Sequence, residues 1–351
     1  MDKKSIEELV DCKLIYKIIN DQNKRNILEK IYSNYFIPIN IIKWIEEKAN
    51  NYTLIKLNNN IINATIHIIY ENDDLSLELQ NNIIKIVQWL IEINLLKFNN
   101  KKILEIYLYL SPYEKQTSCN CKVDNTFCHL KRSNINSGSS FHLNWIQIFR
   151  KEEILKVLIH ELIHYLELDL NKHSKYLNSL CSHIYINKLS DKILINESYT
   201  EFFALYLHTI FISKKINSTF SIKQNNINSD KLNPNYQYQI NQFEDTFWRL
   251  YLDEEKFILY QINKIFKNYS IDNIEYFSKP NNFIQYTNVL SYFIIKYLLF
   301  INTKYFIFNF KNNNLLVILI KYLLERFFKL RIPIINNIDD ISLRMTLYQL
   351  K

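Results

Sequence analysis

The sequence predicts an α+β protein in which a small mixed β-sheet precedes a mainly α-helical C-terminal part. Residues 52–70 are rich in Ile and Thr, which favour strands, while the segments around them have helical spacing. Residues 151–168 form one almost wholly apolar helical stretch, and after Asp169 nearly every apolar segment has helical spacing. The chain has 351 residues, of which 48% are hydrophobic, so it can bury a sizeable core.

The first elements are helices followed by a hairpin. Residues 5–34 have apolar positions three and four apart, which predicts one or two helices. Pro38 interrupts this pattern, and a short helix is expected over residues 41–48. Residues 52–57 and 61–70 are separated by three consecutive Asn residues, so we predict a β-hairpin there.

The remaining elements of the predicted sheet alternate with one helix and one loop. Residues 75–96 have helical spacing, residues 103–110 alternate as a strand, and residues 111–140 are polar and predict a loop. Residues 141–149 predict another strand, directly before the next helix. We expect it at the sheet edge, where an extended peptide can pair with it. Gly138, the single glycine, is expected to make the turn before that strand.

The helix predicted over residues 151–168 contains the motif HExxH. His160 and His164 are four residues apart, so both imidazoles lie on one helix face and can converge on a metal ion. Glu161 is adjacent, where a carboxylate can accept a proton from an activated water. With histidines neutral, Glu161 is the one charged side chain within residues 157–166. We therefore predict a buried helix whose polar groups require partners.

The C-terminal part is predicted to contain five helices. They are expected over residues 174–185, 193–212, 241–266, 287–300 and 315–330. The Asn-rich, Ser-rich and Lys-rich residues 214–236 predict a long loop or insertion. We therefore divide the chain into residues 1–170, an α/β part that ends in the HExxH helix, and residues 171–351, a mainly helical part.

Composition limits the classes of partner and location. The net charge of +8 is spread along the chain without a basic block, so no nucleic-acid partner is expected. The N-terminus lacks an apolar signal segment, and the C-terminal apolar stretches are interrupted by charges, so neither secretion nor a transmembrane span is expected. An odd number of cysteines fits an intracellular, reducing location. They are Cys12, Cys119, Cys121, Cys128 and Cys181.

A catalytic zinc site needs three protein ligands and one open position, so a third ligand must follow the motif. The continuation HExxHxxGxxH is absent, because position 167 is Glu and position 170 is Leu. The segment NESYTEFFA, residues 196–204, offers two glutamates four residues apart on one helical face. Glu197 is the preferred ligand, with Glu201 accepting a hydrogen bond from a ligand histidine; the reverse assignment stays open.

HExxH followed by NExxxE resembles the two motifs of gluzincin metallopeptidases, the thermolysin-like group. The resemblance implies a zincin-like sheet and a Zn²⁺ ion held by His160, His164 and Glu197. It also implies that Glu161 is the general base and that Glu201 supports a ligand histidine.

Two further expectations come from resemblance. Gluzincins stabilise the reaction's oxyanion with a Tyr or His, and among 25 tyrosines we assign this role to Tyr292. Residues 136–168 also resemble uncharacterised metallopeptidase-like proteins of large DNA viruses. We therefore expect a viral zinc metallopeptidase that cleaves a protein or peptide substrate. The alternative is a catalytically silent zincin-fold protein with a structural or virion interaction role.

Several other metal-binding side chains have no assigned role. A second, structural zinc site can be built from a loop cluster, although its C-x-C-x6-C-H spacing is not a standard finger; free thiols are the alternative. Its members are Cys119, Cys121, Cys128 and His129. The isolated histidines are His142, His173, His183 and His208, of which His208 is expected on the same helix side as Glu201.

Overall fold

A mixed β-sheet and a helical C-terminal part make up the computed structural model, which confirms the predicted α+β class. The structure describes residues 11–18, 21–58, 63–71, 75–93, 104–116, 130–141, 145–227, 236–307, 312–335 and 342–348.

Six strands form one sheet in the order β1-β2-β3-β4-β6-β5. The strands are β1 Asp11–Ile18, β2 Asn51–Asn58, β3 Asn63–Tyr70, β4 Leu104–Tyr109, β5 Gly138–Phe141 and β6 Trp145–Ile148. β2 and β3 are antiparallel, as predicted for the hairpin, whereas β3, β4 and β6 are mutually parallel neighbours. β1 and β5 are antiparallel to their neighbours and form the two edges.

Helices cover both faces of the sheet. Alternate residues along each strand point to opposite faces, and buried apolar side chains lie on both of them. On one face Ile66, Ile106 and Ile146 pack against α3 (Leu77–Ile93) and the HExxH helix. The opposite face is covered by the two helices that precede the hairpin. These two helices are α1 Asp21–Tyr32 and α2 Ile39–Glu47.

One predicted helical region contains a strand. Within residues 5–34 the helix prediction is right for α1 but wrong for β1, which pairs along its whole length with β2. The sequence DCKLIYKI also alternates with period two, so it is compatible with a strand. Pairing with a neighbouring strand decides such an ambiguous segment.

The strand before the HExxH helix is not the sheet edge. β6 lies between β4 and β5, and β5, which falls within the predicted loop except for Phe141, is the edge strand. Gly138 does not make a turn with positive φ; it begins β5 and pairs with Ile148. Its lack of a side chain matters instead for packing, because a Cβ atom there would lie 2.8 Å from Cγ1 of Val157.

The second half of the chain is mainly helical. After the short α4 (Arg132–Ile135), the helices are α5 Ile154–Tyr165, α6 Ser174–Ser179, α7 Ile195–Ile227, α8 Tyr236–Tyr269, α9 Lys296–Phe300, α10 Thr303–Ile307 and α11 Asn313–Leu324. A π-helical segment, Leu290–Ile295, leads directly into α9. Residues of α7 belong to both the helical core and the core beneath the sheet, so α7 joins the two.

Several predicted boundaries in this half are wrong, among them that of the helix predicted over residues 315–330, which ends at Leu324. Much of residues 214–236 is helical rather than loop, because α7 extends to Ile227 and α8 begins at Tyr236. Polar residues lower helix propensity only slightly, and residues 214–227 contain neither Pro nor Gly to end the helix. The helix predicted over residues 174–185 ends at Ser179, and the backbone N–H of Tyr185 instead donates to the carbonyl of Phe277.

No helix in the described ranges is long and apolar enough to cross a bilayer. The division at residue 170 stays a prediction.

Candidate metal centre

The HExxH motif lies in a deeply buried helix. Every residue of α5 from Ile154 to Ile163 is buried, including His160 and Glu161. Val157 and Leu158 pack in the core beneath the sheet, and α5 contacts α7, which carries the two glutamates. The apolar residues that flank the motif therefore fix its polar side chains between the sheet and α7.

The three predicted ligands lie together. The Nε2 atoms of His160 and His164 are 3.2 Å apart, and Oε2 of Glu197 lies 3.6 Å from the first and 3.5 Å from the second. Ligands about 2.0 to 2.1 Å from a tetrahedral zinc ion are roughly 3.3 Å from one another. The donor set and its spacing therefore fit zinc. Among the residues described, this is the one His, Cys, Asp and Glu group with such spacing.

Carboxylates hold the other nitrogen of both imidazoles. Nδ1 of His160 lies 2.9 Å from Oε2 of Glu201, and Nδ1 of His164 lies 2.7 Å from Oδ2 of Asp169. A carboxylate only accepts hydrogen bonds, so Nδ1 is the donor in each case. This arrangement directs both Nε2 atoms toward Glu197 and is typical of histidines that bind metals.

The electrostatics of the cluster favour a cation at its centre. Burial alone would lower the pKa of His164, but the charge of Glu197 and the hydrogen bond to Asp169 raise it well above its usual value. Burial would raise the pKa of Glu197, but the charge of His164 and hydrogen bonds to both imidazoles lower it. The cluster therefore keeps an ionised carboxylate and attracts positive charge, supplied either by protons on the imidazoles or by a metal ion.

Glu161 lies beside the edge strand. Its side chain is hydrogen-bonded to that of Ser140, and a Cβ atom at Gly138 would lie 2.9 Å from its Oε1 atom. Burial raises the pKa of Glu161, against the opposing charges of the two histidines. A carboxylate with a raised pKa is suited to accepting and releasing a proton near neutral pH.

Tyr292 also reaches the cluster. It lies in the π-helical segment, its hydroxyl donates to Oε2 of Glu197 over 3.2 Å, and its ring centroid is 6.2 Å from that of His160. Burial and the charge of Glu197 raise its pKa well above the usual value, so the phenol keeps its proton. π-helical turns are frequent at functional sites.

The other predicted candidates are elsewhere or outside the described residues. His208 is buried near Lys156 rather than beside Glu197, and Nε2 of His183 contacts the carbonyl of Leu324. Burial raises the pKa of Cys181 to about 12, so its thiol is inert. His142 and the four members of the predicted second zinc site lie outside the described residues; those four are Cys119, Cys121, Cys128 and His129.

Sequence reasoning did not identify three side chains that support the cluster. Asp169 follows the end of α5 and binds His164, and Lys156 and Lys296 contact Glu201. Lys156 lies four residues before His160, so the helical period offered a signal for it. No local pattern links Lys296 to the motif, because it comes from a helix 136 positions later in the chain than His160.

Comparison of the chain with protein families, with curated proteins and with solved structures found no match.

Proposed function

We propose that this protein is a zinc-dependent metallopeptidase of the gluzincin type, with His160, His164 and Glu197 as zinc ligands. The observation that carries the proposal is the convergence of the three donor atoms at 3.2 to 3.6 Å. The carboxylates on both Nδ1 atoms support it, because they fix the tautomer that zinc binding requires. A zincin-like fold is part of this proposal.

The chemistry is peptide hydrolysis with Glu161 as the general base. Zinc, when bound, would polarise the scissile carbonyl and lower the pKa of water toward about 7. Glu161 accepts the proton of the attacking water and then delivers it to the leaving amine. Its buried position and raised pKa suit both steps.

Tyr292 is proposed to stabilise the charge that develops on the carbonyl oxygen. Its hydroxyl is protonated and already points to Glu197, at the edge of the donor cluster. A donor directed at developing negative charge lowers the barrier more than it strengthens ground-state binding.

β5 is proposed to bind the substrate peptide in an extended conformation. It is the edge of the sheet, and it pairs with β6 on its inner side. β5 also contacts α5, so a peptide added along its outer edge would run beside Glu161. We expect a protein or peptide substrate for this reason.

The alternative is a zincin-like protein without catalysis, which has a structural or virion interaction role. The intact general base at position 161, placed beside the cluster and the edge strand, favours the peptidase. The viral origin and the intracellular location stay predictions.

The proposal is tested with purified protein, metal analysis and a denatured protein mixture as substrate. We expect about one zinc ion per chain, and cleavage that falls roughly 100- to 10,000-fold in Glu161→Gln while zinc stays bound. Glu167→Gln, an exposed glutamate six residues later, is the matched control and should retain activity. Zinc without cleavage supports the silent alternative, and full activity in Glu161→Gln excludes the mechanism.

A further inference from the structure

Two buried lysines converge on the glutamate that holds His160. The ammonium groups of Lys156 and Lys296 both contact Oε1 of Glu201, the second at 3.6 Å. The other carboxylate oxygen, Oε2, contacts Nδ1 of His160. All three lysine and glutamate side chains are at most 2% exposed, so water does not compete for these contacts.

The three groups come from three different helices. Lys156 is one turn before His160 on α5, and Glu201 is one turn after Glu197 on α7. Lys296 begins α9, directly after the π-helical segment that carries Tyr292. The contact therefore ties together the helices that supply the two imidazoles, the carboxylate ligand and the tyrosine.

The C-terminal segment holds the lysines from the other side. Nζ of Lys156 lies 3.6 Å from the sulfur of Met345, and Nζ of Lys296 donates to the Met345 carbonyl over 3.3 Å. The backbone N–H groups of Met345 and Thr346 donate in turn to Glu153, at the start of α5. Neither ammonium can move away from Glu201 without disrupting this buried segment.

Two ammonium groups on one oxygen do more than balance its charge. A single lysine would neutralise Glu201 but would not fix its orientation, because the terminal torsion of a glutamate is broad and allows the carboxylate to rotate. Two cations that bind Oε1 from different helices restrict this rotation and leave Oε2 for His160. Burial lowers the pKa of Lys296 to about 8, against the opposing charge of Glu201.

We propose that Lys156 and Lys296 are positioning residues of the metal centre. By binding one oxygen of Glu201, they fix its other oxygen on the Nδ1–H group of His160 and so keep Nε2 free for the ion. This inference rests on the proposed zinc site, and the lysines act on the ion only through Glu201 and His160.

The test compares three full-length single variants: Lys156→Met, Lys296→Met and the control Lys115→Met. Lys115 is equally buried but pairs with Glu153 instead of Glu201. Each test variant retains one ammonium on Glu201, so folding should survive, which circular dichroism checks. Zinc affinity, measured by competition with a chelator, should fall roughly 10- to 100-fold in the test variants and remain unchanged in the control. Wild-type affinity in both test variants would overturn the proposal.

A second readout does not need zinc. Long-range ¹H–¹⁵N spectra of the metal-free protein, recorded just below pH 8 where Lys296 still carries its charge, report which ring nitrogen of His160 carries the proton. We expect Nδ1 in the wild type and in Lys115→Met, and a shift toward Nε2 in both test variants. If the wild type binds no zinc, the proposed function fails, and these spectra decide the role of the lysines separately. If the proton of His160 stays on Nδ1 in both test variants, the positioning role of the lysines is refuted.

Discussion

Nδ1 of His160 lies 2.9 Å from Oε2 of Glu201, on the side of the ring opposite to Glu197. This relationship separates the two glutamates, of which the sequence favoured Glu197 as the ligand but left the reverse assignment open. Both oxygens of Glu201 are occupied, one by His160 and the other by Lys156 and Lys296. Glu197 faces both Nε2 atoms instead, so it is the glutamate placed to bind a metal.

The first prediction contrasts Glu197→Gln with Glu201→Gln. Glu197→Gln should reduce zinc affinity by more than the roughly 10- to 100-fold cost of losing a supporting contact. Glu201→Gln should reduce it within that range, and should also destabilise the fold by about 3 to 5 kcal/mol, because two buried ammonium groups lose their carboxylate. Chelator competition and urea denaturation measure the two effects. Loss of all zinc in Glu201→Gln, with zinc retained in Glu197→Gln, would reverse the assignment.

The second prediction concerns Tyr292. Replacing it with Phe removes the hydroxyl near Glu197 and leaves the ring in place. We expect kcat to fall by roughly 100- to 1,000-fold with zinc retained and little change in KM, as for other donors to a developing oxyanion. Tyr297→Phe, a buried tyrosine five residues later, is the control. A raised KM with unchanged kcat would show that Tyr292 binds substrate rather than the oxyanion.

The third prediction uses the single glycine. In Gly138→Ala the new methyl group would lie 2.8 Å from Cγ1 of Val157 and 2.9 Å from Oε1 of Glu161, so one of them must move. We expect a loss of about 1 to 3 kcal/mol of stability from overpacking. Activity should fall with zinc still bound, because a displacement of about 1 Å can cost a catalytic group roughly 100-fold.

Ser139→Ala is the matched control for this prediction. It lies on the same strand and removes a contact with Asn34 without pressing on Glu161. Stability measured by thermal unfolding, and activity measured on the same samples, separate the two effects. Equal activity in Gly138→Ala and the wild type would show that Glu161 tolerates displacement.

The fourth prediction concerns stability at acidic pH. His208 is buried on α7, and burial, with the charge of Lys156, lowers its pKa to about 3 against the opposing charge of Glu153. Below about pH 6.5 the histidine is protonated in the unfolded state but stays neutral in the folded state. The free energy of unfolding therefore decreases as the pH falls through about 6.5. Between about pH 7.5 and about pH 5.5, His208 should lower the free energy of unfolding by about 1.4 kcal/mol.

The measurement is urea denaturation of the wild type and His208→Asn at both pH values. The variant lacks the titrating ring, so its stability should fall less than that of the wild type by the stated amount. Equal losses in the two proteins would mean that His208 takes up a proton without unfolding.

Much of the fold followed from local pattern. The hairpin, α3 and α5 have strong periodicity, so burial of one face or of the whole element selects the same structure that the pattern indicates. The exceptions are β1, where pairing with β2 decided an ambiguous segment, and α7, where a polar sequence continued a helix beyond its apolar part. In β1 pairing with a neighbouring strand outweighed a weak local preference, whereas in α7 the polar residues simply do not end a helix.

The sequence by itself determined the half of the site that lies on one helix. Two histidines four residues apart on an apolar helix must face the same way, because helical geometry fixes their direction. Only the tertiary structure decided that Glu197 faces the imidazoles, that Asp169 and Glu201 hold them, and that lysines hold Glu201. Glu197, Glu201 and Lys296 come from segments distant from the motif, and their approach depends on how α5, α7 and α9 pack, which no local period encodes.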